Sequence, residues 1–330
     1  MGSQPVSEKG ARMLTTRSVG IIGMGHVGAH VASALLSQGL ADELRLCDID
    51  EKKLAAEVQD LHDALLFHPY NTKIVNCGDA YEELSGCDII VNAAGNVAAS
   101  STDRDGELFC TTDICRTFAE RVAGSGFAGI WVNISNPCDV IATEIWHLTG
   151  YNPNRIIGTG TALDSARLRA QISLACGDLD PKSIDAHMIG EHGFSQIAAW
   201  SPATIGGVSL SRLACDYPER FAFDHDEVEE LARRGGYVAM AGKRCTEYAI
   251  AAAAARIVAA ILHDEHAVMA ASTLMRGQYG EEGIFASLPC VIGKNGVEQV
   301  FELDLSEDEL AGFHGSCAHI RENIARLTWW

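Results

Sequence analysis

The sequence lacks the features of a membrane, secreted or nucleic-acid-binding protein. Its most apolar stretch, Ala249 to Leu262, is interrupted by Arg256 and is too short to span a bilayer, so we expect a buried alanine-rich helix there. The segment Met1 to Arg17 is polar and has no apolar core, so we expect a disordered extension and not a signal peptide. The net charge of −19 comes from acidic residues spread along all 330 positions. This charge disfavours nucleic acid and anionic membranes as partners.

The cysteines also lack the spacing of a metal site or a disulfide framework. Their number, eleven, is odd, and the sequence contains no CxxC pair and no His/Cys ligand spacing. Scattered cysteines of this kind are typical of reduced, small apolar side chains in a cytosolic protein. The sequence therefore predicts no metal site and a cytoplasmic location.

One glycine-rich turn is the strongest positive signal. The stretch from 19 to 28 reads Val-Gly-Ile-Ile-Gly-Met-Gly-His-Val-Gly, a strand-like run that ends in G-x-G-x-x-G and opens into a helix-like segment. Gly23 permits the tight turn, Gly25 lets the backbone approach a pyrophosphate, and Gly28 lets the helix pack against the strand. The free N–H groups of the new helix would face the phosphates. Three further residues complete this candidate cofactor turn: Met24, His26 and Val27.

A carboxylate follows at the distance that a dinucleotide site requires. The strand-like run Glu43 to Cys47 ends at Asp48, twenty residues after Gly28. A carboxylate there would accept the hydroxyls of the adenosine ribose and repel a 2′-phosphate, so NAD is favoured over NADP. An ordinary strand-end aspartate is the alternative interpretation of Asp48.

The wider pattern predicts an α/β fold with two regions. Strand-like and helix-like segments alternate as far as residue 160, which favours a Rossmann doubly wound parallel sheet with ligands at the carboxyl ends of its strands. Past Thr161, a long helix from Leu163 to about Ala175 is followed by short strands, two helices and a strand-like return near Ser287 to Val300. No repeat or low-complexity linker separates the two regions. We therefore expect an extension at 1–17, an NAD-binding Rossmann domain at 18–160, and a C-terminal α+β substrate domain at 161–330.

Four other segments carry residues that could do chemistry. His192 lies between glycines in Gly-Glu-His-Gly, an unusual setting for a core histidine, and imidazole can exchange a proton near neutral pH. Asp164 and Arg167 are three residues apart on one predicted helix, which alone would indicate a solvated ion pair. Asn136 precedes a proline at a strand end. Arg104 lies in a polar loop from 98 to 106, where a lone arginine is more often solvated than catalytic.

Together these motifs resemble the L-lactate/malate dehydrogenase superfamily, most closely its L-2-hydroxyisocaproate dehydrogenase type. Five separated motifs occur in the order found in that family, which argues against coincidence. They are the glycine turn, Ala-Gly-Asn at 94–96, Ser-Asn-Pro-Cys-Asp-Val at 135–140, Gly-Thr-Gly-Thr-Ala-Leu-Asp-Ser-Ala-Arg at 158–167 and Gly-Glu-His-Gly-Phe-Ser-Gln at 190–196. Lesser matches are Gly242-Lys243 with Thr246, and the segment 291–297.

The resemblance implies a role for each candidate residue. His192 is the implied proton donor and acceptor, and Asp164 is the carboxylate that fixes its tautomer. Arg167 is the implied bidentate clamp on the substrate carboxylate. Arg104 would polarise the substrate C2 oxygen from a lid, and Asn136 would bind substrate near the nicotinamide. The cofactor-binding residues that the resemblance adds are Ala94, Gly95, Asn96 and Asn136.

The resemblance also bears on the side chain of the substrate. By family position, Ala98 stands where lactate enzymes have glutamine and malate enzymes have arginine. A dicarboxylate would meet no cation there, so malate is disfavoured, and the small side chain leaves room for a medium-sized apolar group such as that of 2-hydroxyisocaproate. Thr246 would also shape this pocket. L-lactate dehydrogenase and a non-catalytic NAD(H)-binding protein are the alternatives, and family resemblance suggests a homodimer or homotetramer.

Overall fold

The computed structural model describes residues 16–95 and 104–327, with only the backbone given for 104–106. Over these residues the chain forms twelve strands and ten α-helices. The strands are β1 (Ser18–Ile22), β2 (Glu43–Cys47), β3 (Lys73–Gly78), β4 (Ile89–Asn92), β5 (Ile130–Asn133), β6 (Ile156–Gly158), β7 (Ile184–Ile189), β8 (Ile197–Ile205), β9 (Val208–Ser209), β10 (Ala267–Arg276), β11 (Glu282–Gly293) and β12 (Gly296–Val300).

The helices alternate with strands in the first half and group together in the second. They are α1 (His26–Ser37), α2 (Glu51–Leu65), α3 (Arg104–Gly124), α4 (Cys138–Thr149), α5 (Ala162–Ala175), α6 (Leu210–Asp216), α7 (Pro218–Phe221), α8 (His225–Lys243), α9 (Tyr248–Leu262) and α10 (Glu307–Ala325). Side-chain caps fix several of their starts. Asp50 accepts the Lys53 N–H before α2, and Ser306 forms a capping box with Glu309 before α10.

The first six strands form the predicted Rossmann sheet. They are parallel and lie in the order β3-β2-β1-β4-β5-β6, with β1 paired to both β2 and β4. The strand order reverses between β1 and β4, so the connections that leave their carboxyl ends diverge and open a crevice. The predicted α/β fold class is confirmed, and this crevice lies where the glycine turn ends β1.

Both faces of the central strands β1, β4, β5 and β6 are buried, which explains the nearly continuous apolar runs in these strands. Ile21 belongs to the core on the face covered by α1 and α9, whereas its neighbour Ile22 belongs to the core under α3 and α4. The same alternation separates Ile130 from Trp131 in β5. The alanine-rich helix predicted near 249–262 is α9, and it packs against α1.

Three strands from the second half extend the sheet beyond β6. Among the described residues the whole sheet has nine strands, with β10, β11 and β12 running antiparallel on its outer edge. The junction is the single pair Ser272–Gly158, where a Cβ on Gly158 would lie 2.7 Å from the Ser272 Cβ. A second, antiparallel sheet in the described part of the chain contains β7, β8 and β9. The part of the chain after residue 160, which carries His192, Asp164 and Arg167, is therefore joined directly to the Rossmann sheet.

Some sequence predictions differ from the observed elements. The loop predicted from 98 to 106 is wrong at its end, because α3 begins at Arg104 and includes Gly106. Four helices, α6 to α9, precede the return strands where two were expected from the sequence, and neither β10 nor α10 was predicted. The described residues contain no helix both long and apolar enough to cross a bilayer.

Candidate active site

The glycine turn has the geometry that a dinucleotide requires. Gly23 has a φ of 88°, and a Cβ on it would lie 2.7 Å from the Ala94 Cα. A Cβ on Gly28 would lie 1.9 Å from the Gly23 carbonyl oxygen, so only glycine allows α1 to start this close to β1. A Cβ on Gly25, in contrast, would meet no atom within 4 Å. The open space at Gly25 fits the approach of a pyrophosphate to the start of α1, where no side chain caps the helix.

Asp48 contacts this turn directly. Its Oδ2 accepts the Met24 N–H at 2.6 Å, and its Oδ1 accepts the Asp50 N–H at 2.9 Å. The carboxylate therefore ties the end of β2 to the glycine turn, a backbone role that the sequence analysis did not predict. Each carboxylate oxygen can accept more than one hydrogen bond, so the predicted contact with ribose hydroxyls is compatible with this geometry.

The remaining cofactor and lid candidates are only partly described. Ala94 and Gly95 follow β4, and the Ala94 N–H donates to the Asn92 side chain at 3.2 Å beside Gly23. Asn136 is exposed at the end of β5, just before α4. Asn96 and Ala98 lie outside the described residues, and so does the side chain of Arg104.

His192, Asp164 and Arg167 form one hydrogen-bonded chain. The His192 Nδ1 lies 2.6 Å from the Asp164 Oδ2, and the Arg167 Nη1 donates to the Asp164 Oδ1 at 2.9 Å. Asp164 is only 1 % exposed, so its pairing with Arg167 is not that of a solvated helix surface. The fold creates this contact by placing His192 just after β7 and Asp164 in the first turn of α5.

The electrostatics of the pair favour opposite charges. Burial lowers the pKa of the His192 imidazole, but the Asp164 carboxylate outweighs this effect and the pKa is raised to about 9. Burial raises the pKa of Asp164, but the charges and hydrogen bonds of His192 and Arg167 hold it below its ordinary value. Near neutral pH the arrangement is therefore an imidazolium next to a carboxylate, with the proton on Nε2 available for transfer.

A second buried carboxylate, which the sequence analysis missed, holds the main chain of His192. The Asp139 Oδ2 accepts the His192 N–H at 2.7 Å, and its Oδ1 accepts the Ser272 hydroxyl at 2.5 Å. Burial raises the pKa of Asp139 to about 6, against the effect of these two hydrogen bonds. Asp139 lies within the Ser-Asn-Pro-Cys-Asp-Val motif, and a carboxylate in the otherwise apolar start of α4 was the signal that could have revealed it.

The surroundings of Arg167 are shaped by small and aromatic residues of α8. A Cβ on Gly235 would lie 3.1 Å from the Arg167 Cδ, and a Cβ on Gly236 would lie 3.4 Å from its Nη2. Tyr237 follows and stacks on Phe194 with ring centroids 5.6 Å apart. Both rings line a cavity that also contains Glu230, Arg233 and Arg234.

The segment between α8 and α9 returns to the glycine turn. Thr246 is partly buried there, between Cys245 and Glu247. The Glu247 Oε2 lies 3.6 Å from the Nδ1 of His26, the first residue of α1. The fold therefore brings the Thr246 segment, which the sequence analysis placed at the substrate pocket, against the helix of the glycine turn.

Comparison with known proteins gives the same family over nearly the whole chain. Residues 17–158 match the model of the lactate/malate dehydrogenase NAD binding domain, and residues 161–328 match that of the lactate/malate dehydrogenase alpha/beta C-terminal domain. An L-lactate dehydrogenase of Fusobacterium nucleatum is 39 % identical over 94 % of this chain and 97 % of its own length. L-lactate dehydrogenase 1 of Bifidobacterium longum is 38 % identical, with 95 % and 99 % covered.

Solved structures agree with the sequence comparison. The ligand-bound minor L-lactate dehydrogenase of Enterococcus mundtii has a TM-score of 0.89 and 32 % identity, and the match covers 96 % of this chain and 99 % of that one. The lactate dehydrogenase of Cryptosporidium parvum, solved with lactic acid and nicotinamide adenine dinucleotide, has a TM-score of 0.87 and 28 % identity, with 95 % and 98 % covered.

Proposed function

The chain belongs to the lactate/malate dehydrogenase family, and from this premise we propose that His192, Asp164 and Arg167 are the active site of an NAD-dependent L-2-hydroxy acid dehydrogenase. The membership establishes the class of enzyme and the cofactor, NAD. The observation that supports the residue assignment is the hydrogen-bonded chain from the His192 Nδ1 through Asp164 to Arg167. The buried Asp164 holds both a group that can transfer a proton, His192, and a group that can bind a carboxylate, Arg167. This pair suits a substrate that carries a hydroxyl next to a carboxylate.

The residues divide the reaction between them. The chemistry that NAD⁺ would supply when bound is acceptance of a hydride from C2 of the hydroxy acid. His192 takes the hydroxyl proton on Nε2, because its Nδ1 is engaged by Asp164, and the carboxylate stabilises the imidazolium that results. In the reverse direction the protonated His192 delivers that proton to the oxygen of the 2-oxo acid. Arg167 uses one N–H on Asp164 and presents its remaining N–H groups to the substrate carboxylate.

The other assignments in this proposal depend on the family pattern. Glycine turn residues 23–28 and Asp48 hold the dinucleotide, with Ala94, Gly95 and Asn96 beside it. Asn136 contacts the substrate near the nicotinamide, and Arg104 polarises the C2 oxygen as negative charge develops on it.

We propose a monocarboxylic substrate with a medium-sized apolar side chain, similar to 2-hydroxyisocaproate. Ala98 carries no cation for a second carboxylate and occupies little volume. The stacked pair Phe194–Tyr237 is apolar, and Tyr237 directly follows the two glycines that lie against the Arg167 side chain. L-lactate is the second candidate, and it is favoured by the names of the relatives described above.

Initial rates of NADH oxidation with pyruvate, 2-oxoisocaproate, phenylpyruvate and oxaloacetate test the proposal. We expect the highest kcat/KM with 2-oxoisocaproate and the lowest with oxaloacetate. A clear preference for pyruvate would identify a lactate dehydrogenase. Absence of turnover with all four, in protein that binds NADH, would contradict the catalytic assignment.

The assembly and setting of the enzyme complete the proposal. Leu66 and Phe67 follow α2 and are 84 % and 88 % exposed, a surface that favours a homodimer or homotetramer. Light scattering during size-exclusion chromatography would measure the mass directly, and a mass near 35.3 kDa would contradict this assignment.

All eleven cysteines are free, which favours a reducing compartment such as the cytoplasm.

A further inference from the structure

Three side chains next to the glycine turn bring metal-binding atoms into one small region. They are the imidazole of His26, the thiol of Cys245 and the carboxylate of Glu247, whose ligand atoms all lie within 4.8 Å of one another. His26 is the first residue of α1, whereas Cys245 and Glu247 lie between α8 and α9. The group is assembled by the fold from distant parts of the chain, so ligand spacing in the sequence could not predict it.

Two of the three separations between these atoms are close to those around a tetrahedral ion, and the third is no more than 4.8 Å. With typical bond lengths of about 2.3 Å to sulfur and about 2.0–2.1 Å to nitrogen and oxygen, ligands around a zinc ion lie roughly 3.3–3.6 Å apart. The Cys245 Sγ is 3.2 Å from the Glu247 Oε2, and the His26 Nδ1 is 3.6 Å from the same oxygen. The His26 side chain is 68 % exposed, so it can turn toward Cys245 without displacing packed groups. We propose that His26, Cys245 and Glu247 bind one Zn²⁺ or a similar transition-metal ion.

The neighbouring charges orient Glu247 for this role. Lys243 Nζ contacts the Glu247 Oε1 at 2.6 Å, which leaves Oε2 facing Cys245 and His26. His30 lies one turn along α1, and its Nδ1 is 3.9 Å from the Glu247 Oε2, but this nitrogen is engaged by the His26 carbonyl oxygen at 2.7 Å. The protein therefore supplies three ligands and leaves a fourth position for water. On binding, the Cys245 S–H bond breaks, its proton leaves to solvent and a sulfur–metal bond forms.

The donor set determines the class of ion. Mg²⁺ and Ca²⁺ prefer oxygen ligands alone, whereas thiolate, imidazole and carboxylate together suit Zn²⁺ or Co²⁺. A second described group, Asp264 with His266 and Glu298, offers no sulfur, and Lys294 Nζ lies 2.7 Å from its Asp264. That group is useful for comparison because an ion bound there would have no thiolate ligand.

The site lies where it would influence the crevice. An ion held by these residues links the start of α1, next to the turn that the cofactor pyrophosphate approaches, to the segment that contains Thr246. The proposed ion binding does not require turnover, so it can be tested on the full-length protein independently of the catalytic assignment.

Cobalt is the appropriate probe, because a thiolate bound to Co²⁺ gives a charge-transfer absorption band and tetrahedral Co²⁺ absorbs strongly in the visible. Titration of the reduced, metal-free protein should show both features, saturating at one Co²⁺ per chain and reversed by Zn²⁺. Cys245→Ser should abolish the charge-transfer band. His26→Asn should weaken Co²⁺ binding by more than the roughly 10- to 100-fold that results when a metal ligand loses its hydrogen-bond partner.

Two control variants make the experiment specific. Cys215→Ser removes the exposed cysteine on α6, and His266→Asn disrupts the oxygen-rich group, and both should retain the band. Far-ultraviolet circular dichroism and the melting temperature of each variant show whether it is folded. A band that survives in folded Cys245→Ser, or the absence of saturable Co²⁺ binding to the unaltered protein, would overturn the proposal.

Discussion

The His192 main-chain N–H donates to the Asp139 carboxylate at 2.7 Å, while the His192 ring contacts Asp164 at 2.6 Å. Two buried carboxylates therefore hold one residue, one through its backbone and the other through its imidazole. Asp139 also accepts the hydroxyl of Ser272 on β10, so three parts of the chain meet at this histidine. The position of the imidazole thus depends on α4 and β10 as well as on its own loop.

Replacement of Asp139 tests whether it positions His192. The Asp139 charge raises the pKa of His192, so Asp139→Asn should move the alkaline fall of 2-oxo acid reduction to lower pH while preserving the backbone hydrogen bond. Asp139→Ala should also lower kcat, because the N–H of His192 loses its acceptor. Ser272→Ala is the matched control, since it removes a neighbouring hydrogen bond without changing the charge. A pH profile that is identical in Asp139→Asn and the unaltered enzyme would contradict this role.

The direction of the reaction should determine its pH dependence. Reduction needs a protonated His192 and oxidation needs a neutral one, and the pKa of His192 is raised to about 9. The kcat/KM for reduction should therefore fall as the pH rises through about 9, and that for oxidation should rise over the same range. Profiles of kcat/KM in both directions measure this. The same optimum in both, with chemistry limiting the rate, would count against His192 as the proton carrier.

Asp164→Asn should show what the charge of Asp164 contributes to catalysis while leaving the fold of the site intact. The amide has nearly the same shape but no charge, so the pKa of His192 should fall and kcat should decrease by about 10²–10⁴-fold, the general range for lost acid–base catalysis. NADH binding, followed by fluorescence, serves as the control because Asp164 lies outside the glycine turn. A variant with normal kcat would remove Asp164 from the mechanism.

Arg167→Lys should weaken substrate binding selectively. A lysine cannot reproduce the planar fork, and a lost charged hydrogen bond costs about 1.5–3 kcal/mol, or roughly 10- to 100-fold in kcat/KM for the 2-oxo acid. Steady-state kinetics at saturating NADH measure the change. Arg212→Lys, at an exposed arginine on α6, is the matched control and should leave kcat/KM unchanged. Equal kinetics for the two variants would contradict the carboxylate clamp.

Two alanine substitutions in the glycine turn should affect different properties, one the stability of the protein and the other its affinity for NADH. Gly28→Ala should destabilise the protein by about 1–3 kcal/mol, because its Cβ would lie 1.9 Å from the Gly23 oxygen. Gly25→Ala should retain the melting temperature, because its Cβ meets no atom within 4 Å, yet weaken NADH binding by occupying the space for the pyrophosphate. Thermal melts and NADH titrations distinguish the two. Unchanged NADH affinity in Gly25→Ala would place the pyrophosphate elsewhere.

The substrate proposal has its own substitution. Ala98→Arg places a cation where a dicarboxylate would bring its second charge, so activity on oxaloacetate should rise relative to 2-oxoisocaproate. The ratio of the two kcat/KM values is the measurement, and Ala98→Leu is an uncharged control of increased volume. An unchanged ratio in Ala98→Arg would exclude residue 98 from the choice of substrate.

The sequence predicted those features that depend on neighbouring residues. The glycine turn, the strands of the parallel sheet and the spacing of Asp164 and Arg167 on one helix follow from local chemistry. The contact of His192 with Asp164 could be predicted only from family resemblance, because the two residues lie on separate elements of the fold. The bond from Asp139 to His192 and the cluster of His26 with Glu247 arise from tertiary packing alone, and no periodicity in the sequence encodes them.

The junction between Gly158 and Ser272 limits how the two halves of the enzyme can be recombined. The matched family segments change over between 158 and 161, yet β10 lies against the last parallel strand at that point, with no room for a side chain on Gly158. A chimaera assembled from two relatives at this boundary takes β6 from one parent and β10, which pairs with it, from the other. Such hybrids should fold only when both parents keep small residues on the two sides of the seam.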